Sequence, residues 1–147
     1  MLSIEFISLL AAYMGTYWEL MAKTDEKGGQ WSYLASDENH QVVRKLQLRN
    51  LIVPVTGDFA GTKAINSIAE YLKSRNVKTS VFYVSNVEGG LREQKWQQFY
   101  TNLSLLPFDS HGVIVRFQGR FVPVVCSAQA LLEEFKNKTR NGFDPSC

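Results

Sequence analysis

Chemistry in this chain would have to come from a few polar residues that follow apolar runs. Asp58 lies in TGDFAG (56–61), and Ser85, Asn86 and Glu88 lie in SNVEGG (85–90). A carboxylate in such a loop can accept hydrogen bonds from an amine or hydroxyl, or act as a general base. The same residue types also cap helices and form turns. For Asp58 capping comes first and ligand contact second; for Asn86 with Glu88 the two stand level. Gly57, Gly61, Gly89 and Gly90 could bring backbone N–H groups to a phosphate or carboxylate. However, neither GxGxxG nor GxxxxGK[ST] is present, so turn geometry is the plainer account. Phe59 sits inside the first loop. Tyr33, in WSYLA, either lines a pocket or staples the helix after it.

Other chemistries find less support. His40 and His111 are the only histidines, and no acidic ligand stands at metal-like spacing from either, so no metal site is expected. No GxSxG elbow is present for a hydrolase. Cys126 and Cys147 lie in no CxxC pair, and they read as a small buried hydrophobe and a solvent-facing tail thiol. Trp96, Phe99 and Tyr100 have apolar helical spacing and read as core. Composition excludes a disordered or collagen-like chain: of 147 residues, 45% are hydrophobic and 20% charged. A net charge of +2 argues for neither a nucleic-acid nor a membrane partner.

The elements that must position these loops follow from periodicity. Leu2–Met14 is apolar but too short to cross a bilayer, and it lacks a basic flank, so it reads as an amphipathic or buried helix. With few cysteines, a cytoplasmic location is expected. Ser36 before Asp37 and Glu38 caps a helix over 37–49, with Val42, Val43 and Leu46 as its apolar face. LIVPV (51–55) reads as a strand, with Pro54 marking its end or an edge position. Helical spacing follows over 64–75, with Asn76 as its stop. TSVFYV (79–84) is a second strand, 91–105 a helix, and GVIVRF (112–117) a third strand. Gln118-Gly119-Arg120 could turn that strand back on 121–125 as a hairpin, before a last helix over 128–138 and a frayed tail, 141–147. Strand–helix–strand–helix–strand predicts a single α/β domain with a mainly parallel sheet. Both polar loops would then gather at the carboxyl ends of the strands.

The stretches NLIVPVTGDFAGTKA (50–64) and VFYVSNVE (81–88) resemble the C-terminal half of a bacterial family whose members look like class I S-adenosylmethionine-dependent methyltransferases. The resemblance runs from about Thr16 to Phe117, extends weakly through the last helix to about residue 140, and leaves 1–15 unmatched. The chain departs from the family at Thr62, where proline is usual, and at Gly89 and Gly90, where bulkier residues are usual. The resemblance implies a partial Rossmann-like sheet, S-adenosylmethionine as cofactor, and a pocket drawn from Gly57, Asp58, Phe59, Ser85, Asn86, Glu88 and Tyr33. The donor-binding loops of such enzymes belong to earlier strands and are not in this chain. Two expectations follow. One is methyl transfer to an acceptor by alignment and desolvation. The other is a non-catalytic interaction or assembly module, or a fragment, whose open sheet edge is covered by a second copy or by the missing N-terminal half.

Overall fold

The computed structural model describes residues 16–85, 87–118, 122–137 and 147. The helix expected over 2–14, the site candidate Asn86, the turn residues Gly119 and Arg120, and tail residues 141–146 lie outside the described residues. The chain divides into two compact units, Met1–Pro54 and Val55–Cys147.

In the first unit, α1 (Tyr17–Ala22) starts in a capping box. Thr16 accepts from the Glu19 backbone N–H, and the Glu19 carboxylate reaches back to the Thr16 N–H. The second helix, α2 (Asp37–Leu48), is capped by Ser36, whose hydroxyl accepts from the Asn39 N–H at 3.2 Å. None of its residues is fully buried, and Val42 on the expected apolar face is exposed. It ends as Asn50 takes a left-handed conformation (φ 54°) and the Leu51 N–H closes on the Leu46 carbonyl at 2.9 Å.

In the second unit, α3 (Ala64–Ser74) buries Ile65 and Ala69. Asn76, the expected stop, is left-handed at φ 53°. Then come β1 (Thr79–Ser85), a 3₁₀ turn (Glu88–Gly90), α4 (Glu93–Leu103), β2 (Phe108–Gln118), β3 (Val122–Ser127) and α5 (Ala128–Lys136). The sheet order is β1-β2-β3, with β1 parallel to β2 and β2 antiparallel to β3. Helix α4 gives the chain the length to return for a parallel pairing. The three residues between β2 and β3 allow only a reversal.

The mainly parallel Rossmann-like sheet is therefore corrected to a three-stranded mixed sheet with one parallel pair. The expected strand Leu51–Val55 joins no ladder, and Leu51, Ile52, Val53 and Val55 are exposed. Pro54 offers no N–H, and β-branched composition alone does not supply a neighbouring strand.

The core lies on one face of the sheet. Val84, Ile114 and Cys126, one from each strand, pack with Ile65 and Ala69 of α3, Trp96, Phe99 and Leu103 of α4, and Leu131 and Leu132 of α5. The alternate positions point the other way. Register places Val81 beside Val113, Val115 between Tyr83 and Val125, and Phe117 beside Pro123. On this second face Val81, Tyr83 and Val125 are 59%, 60% and 62% exposed.

The cysteine reading is corrected as well. Cys126 is buried as expected of a small hydrophobe, but it is bonded to Cys147 in a disulfide with Cα atoms 5.3 Å apart. The free tail thiol is therefore not present. Among the described residues, no helix is long and apolar enough to cross a membrane.

Candidate functional site

The loop 56–61 is held by backbone and side chains of its own unit. A Cβ on Gly57 would stand 2.4 Å from the Cβ of Ala64, so only glycine lets this turn approach the start of α3. One carboxylate oxygen of Asp58 accepts from the Ala60 N–H at 2.9 Å, and its carbonyl accepts from the Gly61 N–H at 3.0 Å. The other carboxylate oxygen pairs with Lys95 Nζ at 2.6 Å, both groups being exposed. The hydrogen bond from Lys95, then that from Ala60, holds the Asp58 carboxyl below its ordinary range. Asp58 is thus a turn-former with a surface ion pair. The Phe59 ring sits edge-on to Phe82 and Phe99, at centroid distances of 6.3 and 6.4 Å.

Asn102, which sequence reasoning did not single out, fastens this loop to α4. It is buried, and its side-chain amide donates to the Phe59 carbonyl at 2.8 Å and the Gly61 carbonyl at 2.7 Å. Gln98 donates to its oxygen at 2.9 Å. The available signal was a polar amide three residues after Phe99, on a helical face otherwise reserved for core.

The second loop is fixed from inside. Ser85 ends β1 in a left-handed conformation, φ 57°, rare for a residue other than glycine. Glu88 is buried at 2% exposure. One of its oxygens accepts from the Tyr100 hydroxyl, and the other from Arg116 Nε at 2.8 Å, with Arg116 fully buried. Both oxygens of the candidate acid are therefore engaged by the core. The Gly61 and Gly90 N–H groups, candidates for an anion cradle, already donate to the Asp58 and Val87 carbonyls.

The two loops engage different residues of α4. Lys95, Gln98, Phe99 and Asn102 recur at helical spacing along one flank of α4 and serve the first loop. Tyr100, two residues from Asn102 and so about 200° around the helix, serves Glu88. A cavity of about 60 Å³ lined by Val55, Gly57, Phe59, Ala64, Ile65 and Ile68 adjoins the first loop. That is room for about two waters. The Glu88 and Asp58 carboxylates, expected to face S-adenosylmethionine or its acceptor, are thus already engaged by the protein's own donors.

In the first unit, Tyr33 is half exposed in a turn closed by the Ala35 N–H on the Ser32 carbonyl at 3.1 Å. Beside it, loop Lys23–Ser32 borders a cavity of about 310 Å³ to which Tyr33 does not contribute. Among the described residues, no three His, Cys, Asp or Glu side chains are grouped to hold a metal ion.

The second unit is an α/β layer with its helices on one face of a short mixed sheet. A family described as a domain of unknown function (DUF7790) matches residues 10–138, and the chain belongs to it. No curated protein matches the chain.

Proposed function

We propose that this chain is a non-catalytic assembly module that joins a second copy of itself through the open face of its sheet. The carrying observation is that face: Val81, Tyr83, Val113, Val115, Phe117, Pro123 and Val125 bring no charged group to it. Tyr83 and Phe117 already meet edge-on there, with centroids 6.0 Å apart. Two copies related by a two-fold axis present the same patch to each other. A patch without charge incurs no like-charge penalty in such a contact. Three strands about 4.8 Å apart and six residues long, at about 3.3 Å each, give a footprint of roughly 14 by 20 Å. Stable complexes bury about 800 Å² on each partner. The dimer is therefore weak and concentration-dependent rather than permanent.

Sedimentation equilibrium across a wide concentration range tests this. The expected result is reversible dimerisation, weakened by about tenfold or more in Tyr83→Lys and Val125→Lys variants whose circular dichroism is unchanged. A chain that stays monomeric throughout, or variants that associate as well as the parent, would refute the reading. Methyl transfer rests on the resemblance of residues 50–64 and 81–88. Saturable binding of S-adenosylhomocysteine by the full chain is the result that would restore it.

A further inference from the structure

Among the described residues, the loop Lys23–Ser32 is exposed and yet closely hydrogen-bonded. Trp31 is 82% exposed, yet its indole is fixed: Nε1–H donates to an Asp25 carboxylate oxygen at 2.7 Å. The other Asp25 oxygen accepts from the Lys27 N–H at 2.9 Å and the Gly29 N–H at 2.7 Å. The backbone closes in parallel, with the Asp25 N–H on the Gly29 carbonyl at 2.9 Å and the Gly28 N–H on the Asp25 carbonyl at 3.0 Å. At Gly29 a Cβ would come within 2.9 Å of Trp31 Nε1 and 3.0 Å of the Asp25 carboxylate, so a side chain there would push one of them out of this arrangement. From the other side, the Asn39 side chain in α2 donates to the Gln30 and Ser32 carbonyls at 3.1 and 2.9 Å. None of this serves a core, because the indole it positions faces solvent. An aromatic ring held rigid and open offers a large contact area with little entropy left to lose.

The geometry points to loop Lys23–Ser32 as a binding site for a planar aromatic ring carrying an anionic group, the ring stacked on Trp31 and the anion drawn to Lys23. The cavity is lined by Lys23, Thr24, Asp25, Gly29, Trp31 and Ser32. Its volume of about 310 Å³ stands at the lower end of the range for small-molecule sites, enough for one such ligand. The chemistry of the lining narrows the choice. The indole N–H is already used, so Trp31 offers its ring faces, and stacking takes any flat ring. Three N–H donors satisfy the Asp25 carboxylate and, led by the Trp31 indole, keep it ionised, so it has no need of a cation from outside. Lys23 is the cationic side chain of the lining and, with the Asp25 carboxylate already taken up by three N–H donors, is the group there that can meet an anion.

The full-length chain would be titrated with adenosine 5′-monophosphate, adenosine and ribose 5-phosphate, following heat and the indole N–H resonance of Trp31. The monophosphate is expected to bind best, the nucleoside next and the sugar phosphate least. Trp31→Ala should weaken the monophosphate by about tenfold or more, with Trp31→Phe recovering part of the loss. Lys23→Ala should remove the preference of monophosphate over nucleoside. Three results would overturn the assignment: ribose 5-phosphate matching the monophosphate, Trp31→Ala binding unchanged, or tetramethylammonium binding where the monophosphate does not. Because Trp31 lies in the first unit and the sheet face in the second, dimerisation of the Trp31→Ala chain reports on the assembly reading separately.

Discussion

Glu88, a pocket candidate in the sequence, shows most directly what a buried carboxylate requires of its neighbours. A carboxylate within hydrogen-bond reach of Tyr100 and Arg116, all three buried, lies in a setting where desolvation is expensive and pairing must offset it. Losing one partner is worse than losing both. Glu88→Gln would remove the carboxylate charge that faces the buried Arg116 guanidinium, and about 3–5 kcal/mol of unfolding free energy should go with it. Replacing both, as Glu88→Gln with Arg116→Met, should recover a large part of that loss. Urea denaturation of the two single variants and the double variant measures the coupling. Single losses that simply add in the double variant would mean the two groups do not share one buried pair. The Asp58–Lys95 pair is the contrast: it is shorter, but both members are exposed, and such pairs contribute little to stability. Burial separates the two, and a sequence does not print burial.

At the scale of elements, α5 has an arrangement that no local pattern announces. It follows directly on β3, whose Cys126 is bonded to Cys147, twenty-one residues on. The cross-link closes a loop around α5, whose Ala128, Leu131 and Leu132 face the core. Closing a loop of this length removes roughly 3 kcal/mol of freedom from the unfolded chain. Cys147→Ser should therefore lower the thermal midpoint of the second unit, and a dithiol reductant should bring the parent chain to the same midpoint. If the parent melts identically with and without reductant, the bond does not constrain the fold. Helices and strands with their own internal signal were legible. Ser36 and the acids after it announced α2, the β-branched run announced β1, and the glycine before β3 announced a reversal. What could not be read were relations between distant segments. Leu51–Val55 has the composition of a strand but no neighbour to pair with, and the parallel sheet was inferred from its presence. Asp58 and Glu88 were placed on one rim by the same inference. In the structure each is held by a different residue of α4, Asp58 by Lys95 and Glu88 by Tyr100. The pairing of Cys126 with Cys147 needed the path of the chain, not the spacing of two letters.

For the molecule as a whole, the proposed dimer has a physical signature that follows from what its surface lacks. The chain carries +2 overall, from sixteen basic and fourteen acidic residues, yet Val81, Tyr83, Val113, Val115, Phe117, Pro123 and Val125, the described residues that register on the open sheet face, are all uncharged. Association through exposed charges weakens as salt shortens the screening length, from about 10 Å at 0.1 M to about 3 Å at 1 M. Association through Val81, Tyr83, Phe117 and Val125 has no such term. Its driving force is removal of apolar surface from water, which leaves a negative heat-capacity change. The dimerisation constant should therefore stay level or tighten slightly across that salt range, while its enthalpy becomes more negative on warming. Dilution calorimetry at several temperatures and two salt concentrations reads both quantities from the same samples. A constant that weakens steeply with salt would move the contact to charged residues elsewhere on the surface. The sheet face would then be an exposed apolar patch of the ordinary kind that single domains tolerate.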